Sequence, residues 1–295
     1  MIMSKGRRAY QLVINIILFL VALCMILPLV LLFMSSITEE NTLVVNGYSF
    51  FPAKFSLGAY QYIMQNSATV FRAYGITILV TVVGTSASII LASLMAFPLS
   101  LKDLPGRRII TFYVFFTMLF SGGLVPSYIM WTTTFGIRNT IWAYIFPNFL
   151  LGAFNIILVR TFFSTSIPND IYEAAKIDGA GYMTIYWKLV LPLGKPILVT
   201  IGLFTGLNYW NDWTNGLYYI NKSSMFSIQT LLNRMIQDIQ ALASQSTANS
   251  GALMQIPQVS IRMAIAFVAI LPILLVYPFL QKYFASGIML GAVKG

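Results

Sequence analysis

Six consecutive residues, Asn208, Tyr209, Trp210, Asn211, Asp212 and Trp213, combine aromatic rings with planar amides. Sugars are held by that pairing of chemistries: ring faces stack on C–H patches, and amides bond hydroxyls. Tyr128 and Trp131 offer a weaker version of the same set. Trp and Tyr also form the aromatic belts at membrane surfaces, and both readings of these residues stand. A second informative stretch is 164–195. From Ser166 it reads Ser-Ile-Pro-Asn-Asp-Ile-Tyr-Glu-Ala-Ala-Lys-Ile-Asp-Gly-Ala-Gly-Tyr. Pro168 and Asn169 stop a preceding helix. Asp170 can cap the next, with Glu173 three residues on, close to a capping box. Gly179 and Gly181 break that helix, and a second short one over 182–190 runs to Pro192. Ala174 and Ala175 allow close approach. The result is a helix–turn–helix that fits a groove on another protein, or an ordinary amphipathic surface loop.

The elements that position these residues are membrane spans. Hydrophobic residues make up 58% of the 295 residues and charged ones only 9%. A soluble domain carries roughly 25% charged residues, so most of this surface faces lipid. Charge-free gaps predict spans near 12–34, 74–99, 109–131, 139–162, 196–218 and 261–284. A bilayer core of ~30 Å needs about 20 apolar residues as helix, and lipid forces helix because backbone polar groups find no partner there. Of the 18 basic residues, twelve fall on the side of the N-terminus and six on the other. The cytoplasmic side is the richer in Lys and Arg, so both termini are expected there. The basic excess is a topology signal, and no nucleic acid is expected. The apolar run after Arg8 is too long for a cleaved signal and reads as the first span.

Several chemistries are excluded. There is no histidine, which removes Ser-His-Asp and Cys-His triads and HExxH zinc sites. The single cysteine, Cys24, reads as a small packing residue. No G-x-x-x-x-G-K-[ST] loop is present, so ATP has no usual site here. A cation-coupled carrier would want intramembrane acids, and only Asp212, near a span end, comes close. No enzyme activity and no metal site are expected.

Glu173-Ala174-Ala175, Gly179 after three residues, then Leu189, Leu191 and Pro192 match the pattern E-A-A-x3-G-x9-I-x-L-P throughout, with Leu for Ile. The chain thereby resembles the permeases of binding-protein-dependent ABC importers, over nearly its whole length. It is similar to the smaller permease of maltose-type carbohydrate systems, and within them to complex-oligosaccharide and uronate-oligosaccharide permeases. The residues that say so are 120–126 (Phe-Ser-Gly-Gly-Leu-Val-Pro), Trp210-Asn211, and the C-terminal runs 277–284 and 287–295. The resemblance implies an all-α integral membrane protein with six transmembrane helices of the type I importer fold and a cytoplasmic coupling helix. It implies that Glu173, Ala174, Ala175, Asp178, Gly179, Leu191 and Pro192 form the ATPase-docking segment.

The expected organisation is a cytoplasmic N-terminus (1–11), a permease domain (12–284) and a cytoplasmic tail (285–295), in a bacterial plasma membrane. In maltose-type permeases the tail reaches between the two ATPases, which nominates Gly287, Met289, Gly291 and Lys294. The loop 221–260 is long and polar, and the resemblance makes it a contact for the extracytoplasmic binding protein. ATP and Mg are expected on two partner ATPase subunits, and a second permease subunit is expected to complete a heterodimer, with a homodimer as the alternative. The cluster of Ser121, Gly122, Gly123 and Pro126 interrupts span three. Broken backbone at membrane depth is tolerated only against protein or a cavity, so it is expected at the subunit interface. Arg72, Arg138 and Arg262 sit at outer mouths, as snorkelling anchors or as attractors of an acidic sugar. The expected cargo is an oligosaccharide, neutral or uronate-containing; a permease for another solute is the alternative.

Overall fold

The computed structural model describes residues 5–65, 67–147, 149–245 and 258–292. Among them every regular element is a helix, and one isolated antiparallel bridge joins Thr38 to Phe55. The chain divides into two units, residues 1–70 with 232–274, and residues 71–231 with 275–295.

In the first unit, α1 (Lys5–Ser36) carries no acid in its first turn and has Pro28 inside it. Pro28 lacks the N–H that the Cys24 carbonyl would accept. Cys24 is exposed rather than packed. Two short helices follow, α2 (Glu40–Asn46) and α3 (Gly58–Gln65). The Thr38–Phe55 bridge is flanked by Glu39 N–H to Lys54 O (3.1 Å) and Ser56 N–H to Ile37 O (2.9 Å). The Ser36 and Tyr60 hydroxyls share a 2.8 Å hydrogen bond. The Glu40 carboxylate accepts the N–H groups of Val259 and Ser260, each at 2.8 Å. These two residues open α15 (Gln258–Ala292), whose first amides have no partner within the helix.

The second unit is built around α4 (Ser67–Ser100) and α12 (Lys195–Trp210). Small residues on α4, including Ala92, Ser93 and Ala96, are fully buried. At Gly84 a Cβ would strike the Tyr209 ring, so the two helices meet this closely only because glycine stands there. One core cluster gathers Ala92, Ala96 and Phe97 with Phe163, Tyr172, Tyr186, Val190 and Ile201. Another gathers Val80, Ile137, Tyr144, Ile145, Tyr209, Tyr219 and Ile220.

Among the described residues, three helices are long and apolar enough to cross a membrane: Tyr10–Ser36, Ser67–Ser100 and Val259–Val276. They contain or overlap the expected spans one, two and six. Two further pairs qualify only when taken together. The first is α5 (Arg107–Leu119) with α6 (Leu124–Ile129) and its π-helical extension Met130–Thr134. They meet at 108°. The break falls at 120–123, where Phe120 is extended and Gly123 has φ +83°, as the Gly-Gly cluster predicts. The second pair is 182–193 with α12, bent by 76°.

Three expectations need correction. The span at 139–162 is not one helix. The chain turns at Gly136 (φ +60°) and Asn139 (φ +56°), forms α7 (Trp142–Ile145), and turns again before α8 (Ala153–Ser166). Fourteen residues of α8 reach only about 21 Å. Span five ends at Trp210, and a separate α13 (Thr214–Tyr219) follows. The stretch 221–260 is not simply a loop. It contains α14 (Ile228–Gln245), opened by Ser227, whose hydroxyl accepts the Thr230 N–H at 3.2 Å. That is a standard N-cap bond. Its residues 246–257 lie outside the described ones. The expected tail is helical where described, because α15 continues to Ala292.

Candidate functional site

The segment expected to dock a partner is α9 (Asn169–Ile177). Its N-cap is Pro168, with no side-chain cap bond. Asp170 therefore lies in the first turn instead of capping it, where its charge still suits the helix dipole. Tyr172 and Ala175 are buried, while Glu173, Ala174, Lys176, Ile177, Asp178 and Gly179 are exposed. Ile177, at 86% exposure, is a large apolar side chain standing in water. Glu173 makes no hydrogen bond or ion pair among the described residues.

The end of α9 explains the glycine in the motif. Gly179 has φ +75°. Its N–H donates to Lys176 O at 3.0 Å, and the Ala180 N–H donates to Ala175 O at 2.9 Å. These two bonds with a left-handed residue between them form a Schellman turn. It stops the helix abruptly and leaves Asp178 and Gly179 at its tip.

The chain then forms α10 (Tyr182–Ile185), a π-helical turn at Tyr186–Val190 and α11 (Leu191–Leu193). Leu189 and Leu191 pack against the core cluster, while Pro192 is exposed. The seat of α9 is well fixed. The Tyr172 ring lies 6.4 Å from Phe97, and Tyr186 lies 5.7 Å from the same ring. Tyr186 and Ser93 share a 2.7 Å hydroxyl bond. Burial pushes the Tyr172 phenol above its ordinary pKa. Lys176 reaches Asp103 at 3.8 Å and lies 5.8 Å from the Tyr182 ring centre.

The aromatic candidates divide. Tyr209 is buried, donates its hydroxyl to Ile145 O at 2.9 Å and meets Phe149 edge-on. It is a core residue. Tyr128 stacks on Tyr219 at 5.7 Å and Trp131 stacks on Phe146 at 6.2 Å. Both are half-buried against the cluster that holds Tyr209. Asn208 and Asn211 are exposed, and Trp210 is half-buried with Tyr74 at 6.5 Å. Asn211 accepts a 3.4 Å bond from Gln229. Both amides face outward, Asn211 with a long bond to Gln229, while the rings nearest them are largely committed to packing.

Arg72 and Arg138 are exposed and Arg262 is half-buried. Gly287, Met289 and Gly291 lie along α15, and Lys294 lies outside the described residues.

A buried polar knot escaped the sequence reading. Asp212 accepts from Asn215 twice, from its N–H at 3.0 Å and from its Nδ2 at 2.8 Å. Ser227 donates to Asp212 O at 3.3 Å and shares a 2.8 Å bond with Thr230. Tyr144 joins Thr230 at 3.2 Å, and the Ile228 N–H donates to Thr77 at 2.9 Å. The knot fixes the 211–216 turn to the start of α14. Only Asn215-Gly216 hinted at a turn; nothing in the spacing joined it to residues 77 and 144.

Residues 84–289 match the family described as the inner membrane component of binding-protein-dependent transport systems. The chain belongs to this family. Among relatives of this permease, the polygalacturonan/rhamnogalacturonan transport system permease protein YtcP of Bacillus subtilis is 38% identical over 98% of this chain and 99% of its own. Protein LplC of the same organism is 38% identical over 92% of this chain and 90% of its own. A solved structure, a bacterial ABC transporter involved in the import of the acidic polysaccharide alginate, matches with a TM-score of 0.79. Identity there is 30%, over 96% of this permease and 99% of that chain. The permease is therefore a multi-pass membrane protein of the type I ABC fold.

Proposed function

We propose that this permease is one of two transmembrane subunits of an ATP-driven importer for oligosaccharides, acidic uronate chains in particular. Cargo arrives from an extracytoplasmic binding protein. Two ATPase subunits, holding ATP and Mg, drive alternating access through α9. Six crossings place both termini in the cytoplasm, with the segment from α7 to α8 as a shortened, broken fourth crossing. The observation that carries the reading is the construction of α9. One face is anchored in the core by Tyr172 and Ala175, and the other offers Glu173, Ala174, Ile177 and Asp178 to a partner. An exposed apolar residue beside an unpaired carboxylate, on a rigid seat, suits a protein groove. The acidic cargo is supported by relatives named for polygalacturonan and alginate. The terminal turns of α15, with Gly287, Met289, Gly291 and Lys294, are proposed to meet the ATPases. Residues 221–260 are proposed to meet the binding protein.

The test is ATPase activity of the reconstituted complex, wild type against Glu173→Ala, with neutral and uronate oligosaccharides on the cognate binding protein. Stimulation by a uronate oligosaccharide, lost in Glu173→Ala with the complex assembled, is expected. Undiminished coupling in the variant overturns the docking role. Stimulation by no sugar moves the cargo to another solute class.

A further inference from the structure

Arg107 opens α5, and Arg160 lies within α8. Their Nε atoms donate to one acceptor, the carbonyl of Leu99, at 2.9 and 3.0 Å. Leu99 belongs to the last turn of α4, whose carbonyls lack partners within the helix. One orphan carbonyl thus holds two guanidinium groups side by side, both half-buried. Among the described residues neither has a carboxylate within 4 Å, because the two ion pairs there are Lys54 with Glu39 and Lys176 with Asp103. Two adjacent like charges without a counterion repel each other, and an anion between them removes that cost.

These two arginines, with Lys102, Arg108, Phe112 and Phe115, line a cavity of about 1000 Å³. The space is far larger than an inorganic phosphate. Its cationic end continues into an apolar wall open to the outside: Phe112 is 65% exposed and Ile109 75% exposed. In a membrane protein such residues meet hydrocarbon wherever no partner subunit covers them. An acidic sugar can stack a C–H patch on one ring, but covering the rest of that wall would bury its hydroxyls unpaired. A molecule with an anionic phosphate at one end and hydrocarbon at the other satisfies both halves. Guanidinium forks bind phosphate oxygens in pairs, and basic pockets between transmembrane helices are characteristic sites for anionic lipid headgroups.

We propose that the cavity framed by Lys102, Arg107, Arg108 and Arg160 binds an anionic phospholipid. Its phosphate bridges Arg107 and Arg160, and an acyl chain runs along Phe112 and Phe115. The site is separate from α9 and does not depend on which solute is carried.

Native mass spectrometry of the purified complete transporter tests this, with lipid adducts counted while phosphatidylglycerol or phosphatidylcholine of identical chains is titrated in detergent. Inorganic phosphate and trigalacturonate are run as separate arms, read by thermal unfolding. Phosphatidylglycerol is expected to bind and raise the unfolding temperature, while phosphatidylcholine and inorganic phosphate are not; trigalacturonate, as proposed cargo, is expected to stabilise wild type and the arginine variants alike. Arg107→Gln with Arg160→Gln is expected to weaken phosphatidylglycerol binding about thirty-fold, at roughly five-fold per lost cation. Lysine at both positions should restore most of it. Should the glutamine pair fail to assemble, the exposed pair Lys102→Gln with Arg108→Gln is expected to weaken binding at least about five-fold. Equal retention of the two lipids overturns the proposal. So does undiminished binding in the cation variants, stabilisation by phosphate in place of the lipid, or stabilisation by trigalacturonate that is lost with Arg107 and Arg160.

Discussion

Gly216 packs against Thr230 so closely that a Cβ on the glycine would overlap the threonine hydroxyl. The contact joins α13 to the first turn of α14. Overpacking a closed site costs about 1–3 kcal/mol. Gly216→Ala is expected to lower the thermal midpoint of the purified complex. Thr230→Ala also loses its bonds to Ser227 and Tyr144, and it should destabilise alone but less than additively with Gly216→Ala. Strict additivity in a double-mutant cycle would show that the contact is not the cause.

Gly179 should be sensitive for a different reason. Its left-handed backbone costs a residue with a Cβ about 1–2 kcal/mol, and Asn tolerates that region best. Gly179→Val is expected to loosen the end of α9 and lower sugar-stimulated ATPase activity, with Gly179→Asn close to wild type. Equal activity of both variants would remove the turn from the coupling mechanism.

Tyr209 separates a packing role from a cargo role. Tyr209→Phe removes one buried hydroxyl and leaves the Ile145 carbonyl unpaired, at a cost of about 1–3 kcal/mol. Stability should fall while the sugar concentration for half-maximal transport stays unchanged. Asn208→Ala and Asn211→Ala are expected to show the opposite pattern if the exposed amides touch cargo. A changed half-maximal concentration in Tyr209→Phe would return the ring to the pathway.

Spans one, two and six, the Gly-Gly break and the helix–turn–helix around Glu173 were legible because each rests on local rules. Apolar length marks α1, α4 and α15. Glycine after a short amphipathic run marks the end of α9. What was not legible depends on distant partners. Asp170 looked like a cap, but Pro168 already fixes an extended residue there. Tyr209 looked like a ligand residue because sequence cannot show Gly84, more than a hundred positions away, making room for its ring. The polar run after residue 227 looked like loop because its hydrophobic residues, Ile228, Leu231 and Leu232, are spaced for one narrow face and are buried on it.

Glu40 gives a fourth test. Its carboxylate holds the Val259 and Ser260 amides at the start of α15. Loss of such a cap costs about 0.5–2 kcal/mol. Glu40→Ala should speed hydrogen exchange at those amides at least about two-fold, while Glu40→Gln, which keeps one acceptor, should fall between. Unchanged exchange in Glu40→Ala would mean that another group caps the helix.

The break between α5 and α6 carries a consequence for the life of the chain before assembly. Residues 120–126 are all exposed on the chain itself, and no atom lies within 4 Å of where side chains on Gly122 and Gly123 would stand. An opened backbone at membrane depth is tolerated only against protein or water. In the proposed two-permease assembly, a copy made without its partner inserts with this stretch uncovered, and it is expected to be degraded faster than an assembled one.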